Sequence, residues 1–594
     1  MLNKLKILFI NLLFILLSKN CAFSDNNFVD IDFGLDNVKN IKKIWTYNSG
    51  IFKDSQTKPI LHNDKIIFLD GHKNLRVLSI FDGNEICINK GNKDTKPIRG
   101  IGLYKKNSDE VYAVFVRNKI LVQVNIFNCK QRIFDKNVFL PSVVAPVLVD
   151  DNIAYILRNN GKPPVSYNLD NLEIVWEAKI ENQTKKKLLR ENSNNKLKWN
   201  VWGGALIDKR NNQLIFSTSN PKPGFISKNR KGKNLFHNSL VSVNLKNGVY
   251  NWHFQEIEHD LLNLDLASPP ILVSFIDHNQ NYINYVAQAT KTGQLLLINP
   301  LNGLPTEETT IKEFFPYKNN DEIKTVRKYF PDWLIYSKSN FVETDINNLS
   351  DDYKNQAKLI INESIISEYQ ALEKNKDYIF YGMHGGTEWP YIASTKNGVI
   401  IIPSNNIPWI ARLNDSYGKQ FINLVKEIFN FEFYSFEIYF KRIKRIISKI
   451  LNYDAGSIQE YKKFETKNGI PLNKPPWGTL TAIDIKNKKQ LWTIPHGKYP
   501  ILNKKYKNTG SEIFGSPVIV GNIIFMSGTI NKEIVGYDLN NGKKIWTDKL
   551  PYVSYGNLSI NKYEDKIYLI VNSTGGSKMP RTEKGDAIVA YILN

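Results

Sequence analysis

The stretch GYDLNNGKKIW, residues 536–546, is the most informative about the fold because the chain repeats it with variations three more times. The other copies are SYNLDNLEIVW at 166–176, SVNLKNGVYNW at 242–252 and AIDIKNKKQLW at 482–492. Each copy opens with alternating apolar and polar residues, turns at Asn, Lys or Gly, and ends on a tryptophan: Trp176, Trp252, Trp492 and Trp546. Alternation of this kind predicts strands with one buried face.

Short β-rich runs lie before or between these copies, and most of them hold an Asp, Asn or Gly turn between two strand-like segments. They are found at 58–71, 145–157, 203–220, 286–303, 397–406 and 516–528. Each unit is therefore predicted to be a small antiparallel meander. Meanders repeated along 594 residues predict an all-β fold, a β-propeller in which each terminal tryptophan packs between adjacent blades.

Two segments break this β pattern and are predicted to be helical excursions. The first, 305–378, is polar, and the second, 415–463, is rich in aromatic residues and ends in basic ones. The second segment fits two interpretations. It is either an amphipathic helix that makes a peripheral contact with a membrane, or a helical hairpin packed on the propeller.

Composition indicates a globular protein, with 42% hydrophobic residues and a formal net charge of +22. The lysines are spread along the chain and do not gather into one block, which favours a solvated basic surface. No nucleic-acid partner is therefore predicted.

The N-terminal residues 1–24 have the pattern of a secretory signal peptide. Lys4 and Lys6 precede an apolar run, and a small-x-small cleavage site ends at Ser24. Cleavage there would lower the net charge from +22 to +19, because three lysines and no acid are removed. We therefore expect a periplasmic protein whose mature part, 25–594, forms the propeller. Lipidation of Cys21 is not favoured, because the residues before it make a poor lipobox.

The mature part keeps two cysteines, Cys87 and Cys129. Export permits a disulfide between them, and two separate buried thiols fit the sequence as well.

A succession of short motifs between Trp199 and Pro270 reads WGG, SNPKPG, RKGKN, NSLVSVNLKNG, WHFQ and HD. TKTGQLLLINPLNG, GMHGGTEW and KPPWGTLTAIDIKN follow. In this order the motifs resemble the quinoprotein dehydrogenases that use pyrroloquinoline quinone (PQQ), in particular the glucose and polyol branch. The resemblance implies an eight-bladed propeller of four-stranded antiparallel blades. It also implies PQQ on the axis with a divalent metal, usually Ca²⁺, and electron transfer from a sugar or polyol to a quinone or cytochrome.

The same resemblance assigns roles to individual residues. Trp202, in WGG, matches the tryptophan that floors the quinone ring, and a rigid aromatic face suits a planar cofactor. Lys291, in ATKTG, matches a lysine that contacts the cofactor, where a cation would stabilise accumulating charge. Trp389, in GMHGGTEW, is assigned to the cofactor site, and Asn220, in SNPKPG, to the metal through its amide oxygen.

The stretch EHDLLNLD departs from the family pattern at the catalytic position. His259 is kept, but the carboxylate that acts as general base in the family is replaced by Asn263. An amide can ligate a metal through its oxygen but is not a useful proton acceptor near neutral pH. Asp265, two residues on, matches the second acid of the pattern. The candidate catalytic residues are therefore His259, Asn263 and Asp265, with Asn263 also a candidate metal ligand.

Other departures lie close to the predicted axis. In RGIGLYK, Tyr104 and Lys105 stand near the place where relatives have a histidine that covers the cofactor, and 390–392 brings Pro-Tyr-Ile where small residues are usual. Two functions are consistent with these observations. One is a quinoprotein dehydrogenase, and the other is a catalytically silent propeller that acts as a binding or assembly scaffold.

Overall fold

A computed structural model describes residues 27–593 except for these gaps: 92–96, 135–137, 141–142, 181–199, 223, 226–229, 231, 315–325, 368, 374, 415–457, 503–505, 557 and 577–581. The predicted signal peptide, 1–24, lies outside the described residues, as does most of the predicted helical segment 415–463. Among the described residues, none of the helices has the length and apolar character needed to cross a bilayer.

Nearly all the regular structure of the described residues is β, which confirms the all-β prediction. The strands up to residue 300 are β1 (Phe28–Val29), β2 (Lys42–Asn48), β3 (Ile60–His62), β4 (Lys65–Leu69), β5 (Leu75–Ser79), β6 (Glu85–Asn89), β7 (Gly102–Lys105), β8 (Val111–Arg117), β9 (Ile120–Asn125), β10 (Leu148–Asp150), β11 (Ile153–Ile156), β12 (Val165–Asn168), β13 (Ile174–Glu177), β14 (Ala205–Asp208), β15 (Gln213–Ser217), β16 (Ser239–Asn244), β17 (Tyr250–Gln255), β18 (Ile271–Ile276), β19 (Tyr282–Ala289) and β20 (Leu295–Ile298).

The second half continues in the same way. Its strands are β21 (Thr309–Phe314), β22 (Val326–Pro331), β23 (Ser364–Ile366), β24 (Asp377–Phe380), β25 (Ala393–Ser394), β26 (Val399–Asn405), β27 (Trp409–Asn414), β28 (Ile458–Lys463), β29 (Gly478–Asp484), β30 (Lys489–Pro495), β31 (Val518–Val520), β32 (Ile523–Met526), β33 (Glu533–Asp538), β34 (Lys544–Lys549), β35 (Ser559–Tyr563), β36 (Lys566–Gly575) and β37 (Lys584–Leu593). The described helices are the 3₁₀ helices Leu35–Asn40 and Glu343–Asp345 and the α-helix α1 (Asp351–Asn362).

Consecutive strands pair into antiparallel sheets, as the meander pattern predicts. These sheets are β3–β6, β7–β9, β10–β13, β14–β17, β18–β20, β25–β26–β29–β30 and β31–β34, with β1 added in parallel to β31. The turn between the first two strands of a sheet commonly holds a residue with positive φ: Asn63, Asp151, Asn212 and Gly521. Asn, Asp and Gly tolerate this left-handed backbone, so the turn chemistry seen in the sequence confirms the hairpins.

The series of sheets closes on itself. The first strands of neighbouring sheets contact one another: β7 contacts β10, β14 contacts β18, and β25 contacts β31. The late strand β35 contacts the early strand β3, and β2 from the N-terminal side completes the sheet of β35–β37 by pairing with β37. The first strands therefore line a common axis.

Three of the four tryptophans of the repeat, together with Trp45, join neighbouring sheets. The indole N–H of Trp252 donates to the carbonyl of Pro300 at 2.8 Å. A Cβ added at Gly303 would lie 2.6 Å from the Trp252 ring, and φ at Gly303 is 73°, so only glycine fits. The same pair of contacts recurs for Trp45, Trp176 and Trp492 on the turns of Gly83, Gly248 and Gly542. Trp546 instead packs edge-on against Tyr591, in the sheet that β2 completes.

The structure joins Cys87 and Cys129 in a disulfide, which decides between the two alternatives left by the sequence. Cys87 lies four residues after Gly83, as Trp546 lies four residues after Gly542. Cys129 has a φ of 55° and occupies the turn position that glycine fills in other sheets. The disulfide therefore connects two neighbouring sheets at the place of a tryptophan–glycine contact.

The prediction of helix over 305–378 is wrong for most of that segment. Among the described residues of this segment, only α1 is α-helical. The backbone N–H of Tyr353 donates to the Ser350 side chain at 3.2 Å, which caps the helix. Thr309–Phe314 and Val326–Pro331 pair as an antiparallel hairpin, because the β-branched, alternating sequence TTIKEF finds a partner strand.

The helical prediction over 415–463 is wrong at its C-terminal end, and its remainder lies outside the described residues. Ile458–Lys463 forms β28, which pairs with β27 in the sheet β23–β24–β27–β28. The open edge of β27 supplies the hydrogen-bond partners that decide between strand and helix here.

Candidate active site

The residues singled out by the sequence converge on the loops next to the inner strands. Trp202 precedes β14, Asp265 precedes β18 and Trp389 precedes β25, while Lys291 lies in the turn between β19 and β20. Because these strands line the axis, the loops that lead into them meet at one end of it.

Backbone hydrogen bonds fix the loop that carries Trp202. The N–H of Val201 donates to Oδ1 of Asn159 at 3.0 Å, and the N–H of Asn200 donates to Oγ of Ser219 at 3.0 Å. The short turn before β12 therefore serves as a support for the tryptophan loop.

Arg99 is the residue at the axis that the sequence analysis missed. Its guanidinium carbon lies 4.7 Å from the ring centroid of Trp202 and 4.5 Å from that of Trp389, and its Nη1 donates to the Trp202 carbonyl at 2.7 Å. Tyr104 of the same motif turns away and hydrogen-bonds to Asp170. Arginine is the side chain best suited to contact two aromatic faces, because its guanidinium is planar and cationic.

Burial lowers the pKa of Arg99 to about 9, and the negative charges of Glu388 and Asp265 oppose that shift. The guanidinium therefore keeps its charge at neutral pH. Tyr391, from the Pro-Tyr-Ile segment, interacts electrostatically with Arg99, and its hydroxyl would lie 3.6 Å from a Cβ added at Gly204. The segment thus reaches the tryptophan loop, as its bulk predicts.

Lys291 forms a buried cluster with two carboxylates. Its Nζ lies 2.6 Å from Oδ1 of Asp265 and 3.7 Å from Oε1 of Glu388, and all three side chains are buried. Burial by itself lowers the pKa of Lys291, but the two carboxylates outweigh it and the net shift is upward. A Cβ added at Gly386 would lie 2.5 Å from the Lys291 carbonyl, so the Gly-Gly turn packs directly on this backbone and brings Glu388 to the lysine.

Asp260 organises the turn that presents Asn263. Its carboxylate accepts the backbone N–H groups of Leu262 and Leu264, each at 2.7 Å, and Asn263 between them has a φ of 60°. Asparagine tolerates this left-handed backbone better than most residues.

His259 is anchored away from these groups. Its Nδ1–H donates to the carbonyl of Gly232 at 2.7 Å, and its buried Nε2 has no hydrogen-bond partner among the described residues. Burial, with a smaller contribution from Arg230, lowers the pKa of His259 to about 4. The ring is therefore neutral at pH 7, and its catalytic role stays a prediction.

The two amides predicted as metal ligands do come together. The ammonium of Lys222 donates to Oδ1 of Asn220 at 3.2 Å and to Oδ1 of Asn263 at 3.1 Å. Desolvation lowers the pKa of Lys222, and the negative charge of Asp265 opposes that shift, although the residue as a whole is exposed to solvent.

This donor set does not fit a divalent cation. Ca²⁺ takes six to eight oxygen ligands, usually with carboxylates among them. Here both amide oxygens already accept from an ammonium, and the nearby carboxylate of Asp265 is paired with Lys291. Within the described part of the chain, no group of three or more His, Cys, Asp or Glu side chains is arranged to hold a metal ion.

The axis itself has features that suit a planar, anionic cofactor. Trp202 and Trp389 supply aromatic faces, and Arg99 and Lys291 supply two buried cations. The indole N–H of Trp389 is buried without a hydrogen-bond partner among the described residues, so an acceptor atom can still be bound there.

Residues 141–569 match the protein family described as PQQ, glucose/ethanol/alcohol dehydrogenase, β-propeller domain. The chain is 20% identical over 418 residues to the quinoprotein glucose dehydrogenase of Escherichia coli K12, a match that covers 66% of this chain and 49% of the relative. It is 22% identical over 414 residues to the probable quinate dehydrogenase (quinone) of Xanthomonas campestris, covering 66% and 50%. The chain spans about half the length of these curated relatives.

Solved structures show the same fold. The quinohemoprotein alcohol dehydrogenase of Comamonas testosteroni superposes with a TM-score of 0.66 at 15% identity, over 96% of this chain and 79% of that one. A europium-containing methanol dehydrogenase superposes with a TM-score of 0.67 at 13% identity, over 96% of each chain.

Proposed function

We propose that this chain, which belongs to the PQQ glucose/ethanol/alcohol dehydrogenase β-propeller family, binds PQQ on its axis and oxidises a hydroxyl group of a sugar or polyol. The observation that carries the proposal is the juxtaposition of the Trp202 face with the cations Arg99 and Lys291. PQQ is a planar tricarboxylate, so an aromatic face and buried positive charges are the groups that would hold it.

We assign three side chains, and one N–H group that has no hydrogen-bond partner among the described residues, to the cofactor. Trp202 would provide a stacking face, Lys291 would provide a cation, and the indole N–H of Trp389 would donate to an acceptor atom. Arg99, which contacts both indoles in the structure, would provide a second cation. When bound, PQQ supplies the two-electron chemistry that none of these side chains has.

Asp265 is the residue we assign to accept the proton of the substrate hydroxyl. It is a carboxylate beside a buried ammonium, and the amide of Asn263 cannot accept a proton usefully. The contact with Lys291 fixes the position of the Asp265 carboxylate. Calcium at Asn220 and Asn263 stays a prediction, which their contact with Lys222 does not favour.

The propeller is proposed to have eight blades. In seven of the sheets that the described residues form, the turn that follows the third strand holds a residue with positive φ: Gly83, Cys129, Leu172, Gly248, Gly303, Lys488 and Gly542. Each of these sheets is counted as one blade. The sheet completed by β2 has the chain ends in place of such a turn and makes the eighth.

Location and partners follow from the sequence as proposals. The signal-like segment 1–24 supports a periplasmic protein, with PQQ reoxidised by a quinone or cytochrome. Among the relatives, the glycerol dehydrogenase large subunit of Gluconobacter oxydans and the quinate enzyme bear names of polyol-type substrates. Peripheral membrane contact through 415–463 remains one interpretation of that segment.

A catalytically silent scaffold is the second candidate, and two observations favour it. Asn263 occupies the position of the family's base, and Lys222 and Arg99 already satisfy groups that would meet a metal and a cofactor. Such internal contacts are those expected where a binding site has been given up.

Oxidation of polyols by the PQQ-loaded protein separates the two candidates. Dye reduction would be followed with glucose, quinate and glycerol, with Lys291→Met as the matched variant. Saturable dye reduction that is lost in Lys291→Met supports the dehydrogenase. Dye reduction at the rate of free PQQ for every substrate would contradict it and favour the scaffold.

A further inference from the structure

One ammonium bridges two amide groups that are 43 residues apart in the sequence. Lys222 Nζ donates to Oδ1 of Asn220 at 3.2 Å and to Oδ1 of Asn263 at 3.1 Å. Both contacts lie at the long end of the range for an N–H···O hydrogen bond. The ammonium therefore occupies the space between the two oxygens.

The orientation of both amides is fixed by their NH₂ groups. Nδ2 of Asn220 donates to the carbonyl of Pro221 at 3.1 Å, and Nδ2 of Asn263 contacts Sδ of Met383 at 3.2 Å. Since each NH₂ is engaged on its outer side, each oxygen is turned towards Lys222. The oxygens are thus arranged to receive a cation.

The surrounding backbone is closely packed against this pair. A Cβ added at Gly224 would lie 3.3 Å from Nδ2 of Asn220 and 3.6 Å from Oδ1 of Asn263. A divalent ion would need to lie about 2.4 Å from each oxygen, which is the position that the ammonium excludes by size and by charge. The side chain of Asp265, the nearest acid in sequence to Asn263, is held by Lys291 at 2.6 Å.

We infer that Lys222 is a built-in cation that takes the place of a divalent metal between Asn220 and Asn263. The site then binds no metal ion, unlike the site that the family resemblance implies. The ammonium of Lys222 supplies the positive charge in place of the metal. This inference rests on the proposed function only for the location of the cofactor, because the exclusion of metal is a property of the protein alone.

Luminescence of bound Tb³⁺, excited through the protein's tryptophans, tests the inference without cofactor or substrate. Asn263→Asp with Lys222→Ala supplies a carboxylate and removes the ammonium, and Asn263→Asp alone keeps the ammonium. We expect the double variant to bind Tb³⁺ saturably, at least ten times more tightly than Asn263→Asp alone, and Ca²⁺ to displace it. The wild type should give no saturable signal. Lys246→Ala, at an exposed turn, is the matched lysine control.

Two results would overturn the inference. One is saturable Tb³⁺ or Ca²⁺ binding by the wild type that is lost in Asn220→Ala. The other is equal Tb³⁺ affinity of Asn263→Asp with and without Lys222→Ala. Circular dichroism confirms that each variant is folded, and Lys222→Gln with Asn263→Asp replaces the double variant if Lys222→Ala does not fold. Failure of the dehydrogenase assay would leave these results unchanged.

Discussion

Nζ of Lys291 lies 2.6 Å from Oδ1 of Asp265, and both side chains are buried at the axial end of the inner strands. A buried pair of this kind fixes the position of the carboxylate. It also places a carboxylate two residues from Asn263 in the sequence.

Asp265→Asn is therefore expected to lower the turnover number by ~10²-fold or more, because an amide cannot accept the hydroxyl proton. The measurement is dye-linked turnover of the PQQ-loaded variant, together with its Kd for PQQ. Unchanged turnover at saturating PQQ would remove Asp265 from the proton-accepting role.

Asn263→Asp restores a carboxylate at the position of the family's base. Because Asp265 is assigned the proton-accepting role, dye-linked turnover of this variant should stay within about 3-fold of the wild type. The ammonium of Lys222, 3.1 Å from Oδ1 of Asn263, would hold the new carboxylate ionised. A rise of ~10²-fold or more would mean that the wild type lacks an effective base and that Asp265 does not fill the role.

Trp202→Ala should weaken PQQ binding by about 2 kcal/mol, roughly 30-fold in Kd, because a stacking face is lost. Calorimetric titration measures the effect. Trp176→Phe, at a contact between sheets, is the control and should bind PQQ as the wild type does. Equal Kd values for Trp202→Ala and the wild type would contradict the assignment of Trp202.

The disulfide of Cys87 and Cys129 is expected to be replaceable by a tryptophan–glycine contact. Cys87→Ser should destabilise the fold by about 2–4 kcal/mol. Cys87→Trp with Cys129→Gly should recover part of that loss, because the pair then matches Trp252 on Gly303. Denaturant unfolding of the three proteins tests this. A double variant less stable than Cys87→Ser would show that the two positions are not equivalent to the tryptophan turns.

His259 should make the stability depend on pH between about 4 and 6.5. Its pKa is lowered from 6.5 to about 4 in the folded protein, so the unfolded state binds more protons across that window. The free energy of unfolding therefore gains about 3 kcal/mol from this group as pH rises from 4 to 6.5. His259→Asn keeps a residue that tolerates the φ of 61° and removes the titration, so its unfolding free energy should rise less over the window. Parallel curves for the two proteins would contradict the assignment.

The repeat of the sequence was sufficient to predict the sheets and most of their contacts. A terminal tryptophan, a left-handed turn residue and period-2 alternation are local signals that can be read from the sequence. At Trp252 they correspond to a hydrogen bond from the indole to Pro300 and to packing of the ring on Gly303. The segment 305–378 was misjudged because its polar composition resembles that of a helix, whereas the pairing of β21 with β22 is decided by a partner strand.

The site was predicted only in part. Trp202, Lys291 and Asn220 stand in recognisable motifs. In the structure, Nζ of Lys291 lies 5.6 Å from the ring centroid of Trp202. Arg99 reaches Trp202 across 103 residues, and Lys222 reaches Asn263 across 41, so no local pattern reveals either contact. Arg99 lies in RGIGLY and Lys222 lies in SNPKPG, so both motifs were considered. The contacts of the two residues depend on the long-range packing of the loops, which the motifs do not show.

A calorimetric titration of the purified protein with PQQ, once with excess EDTA and once with Ca²⁺, tests the cofactor site and the role of Lys222 together. We predict saturable binding at one site, with the same Kd under both conditions, because Lys222 supplies the cation. No saturable binding would contradict the cofactor site and favour a scaffold, and binding that requires Ca²⁺ would contradict the role of Lys222.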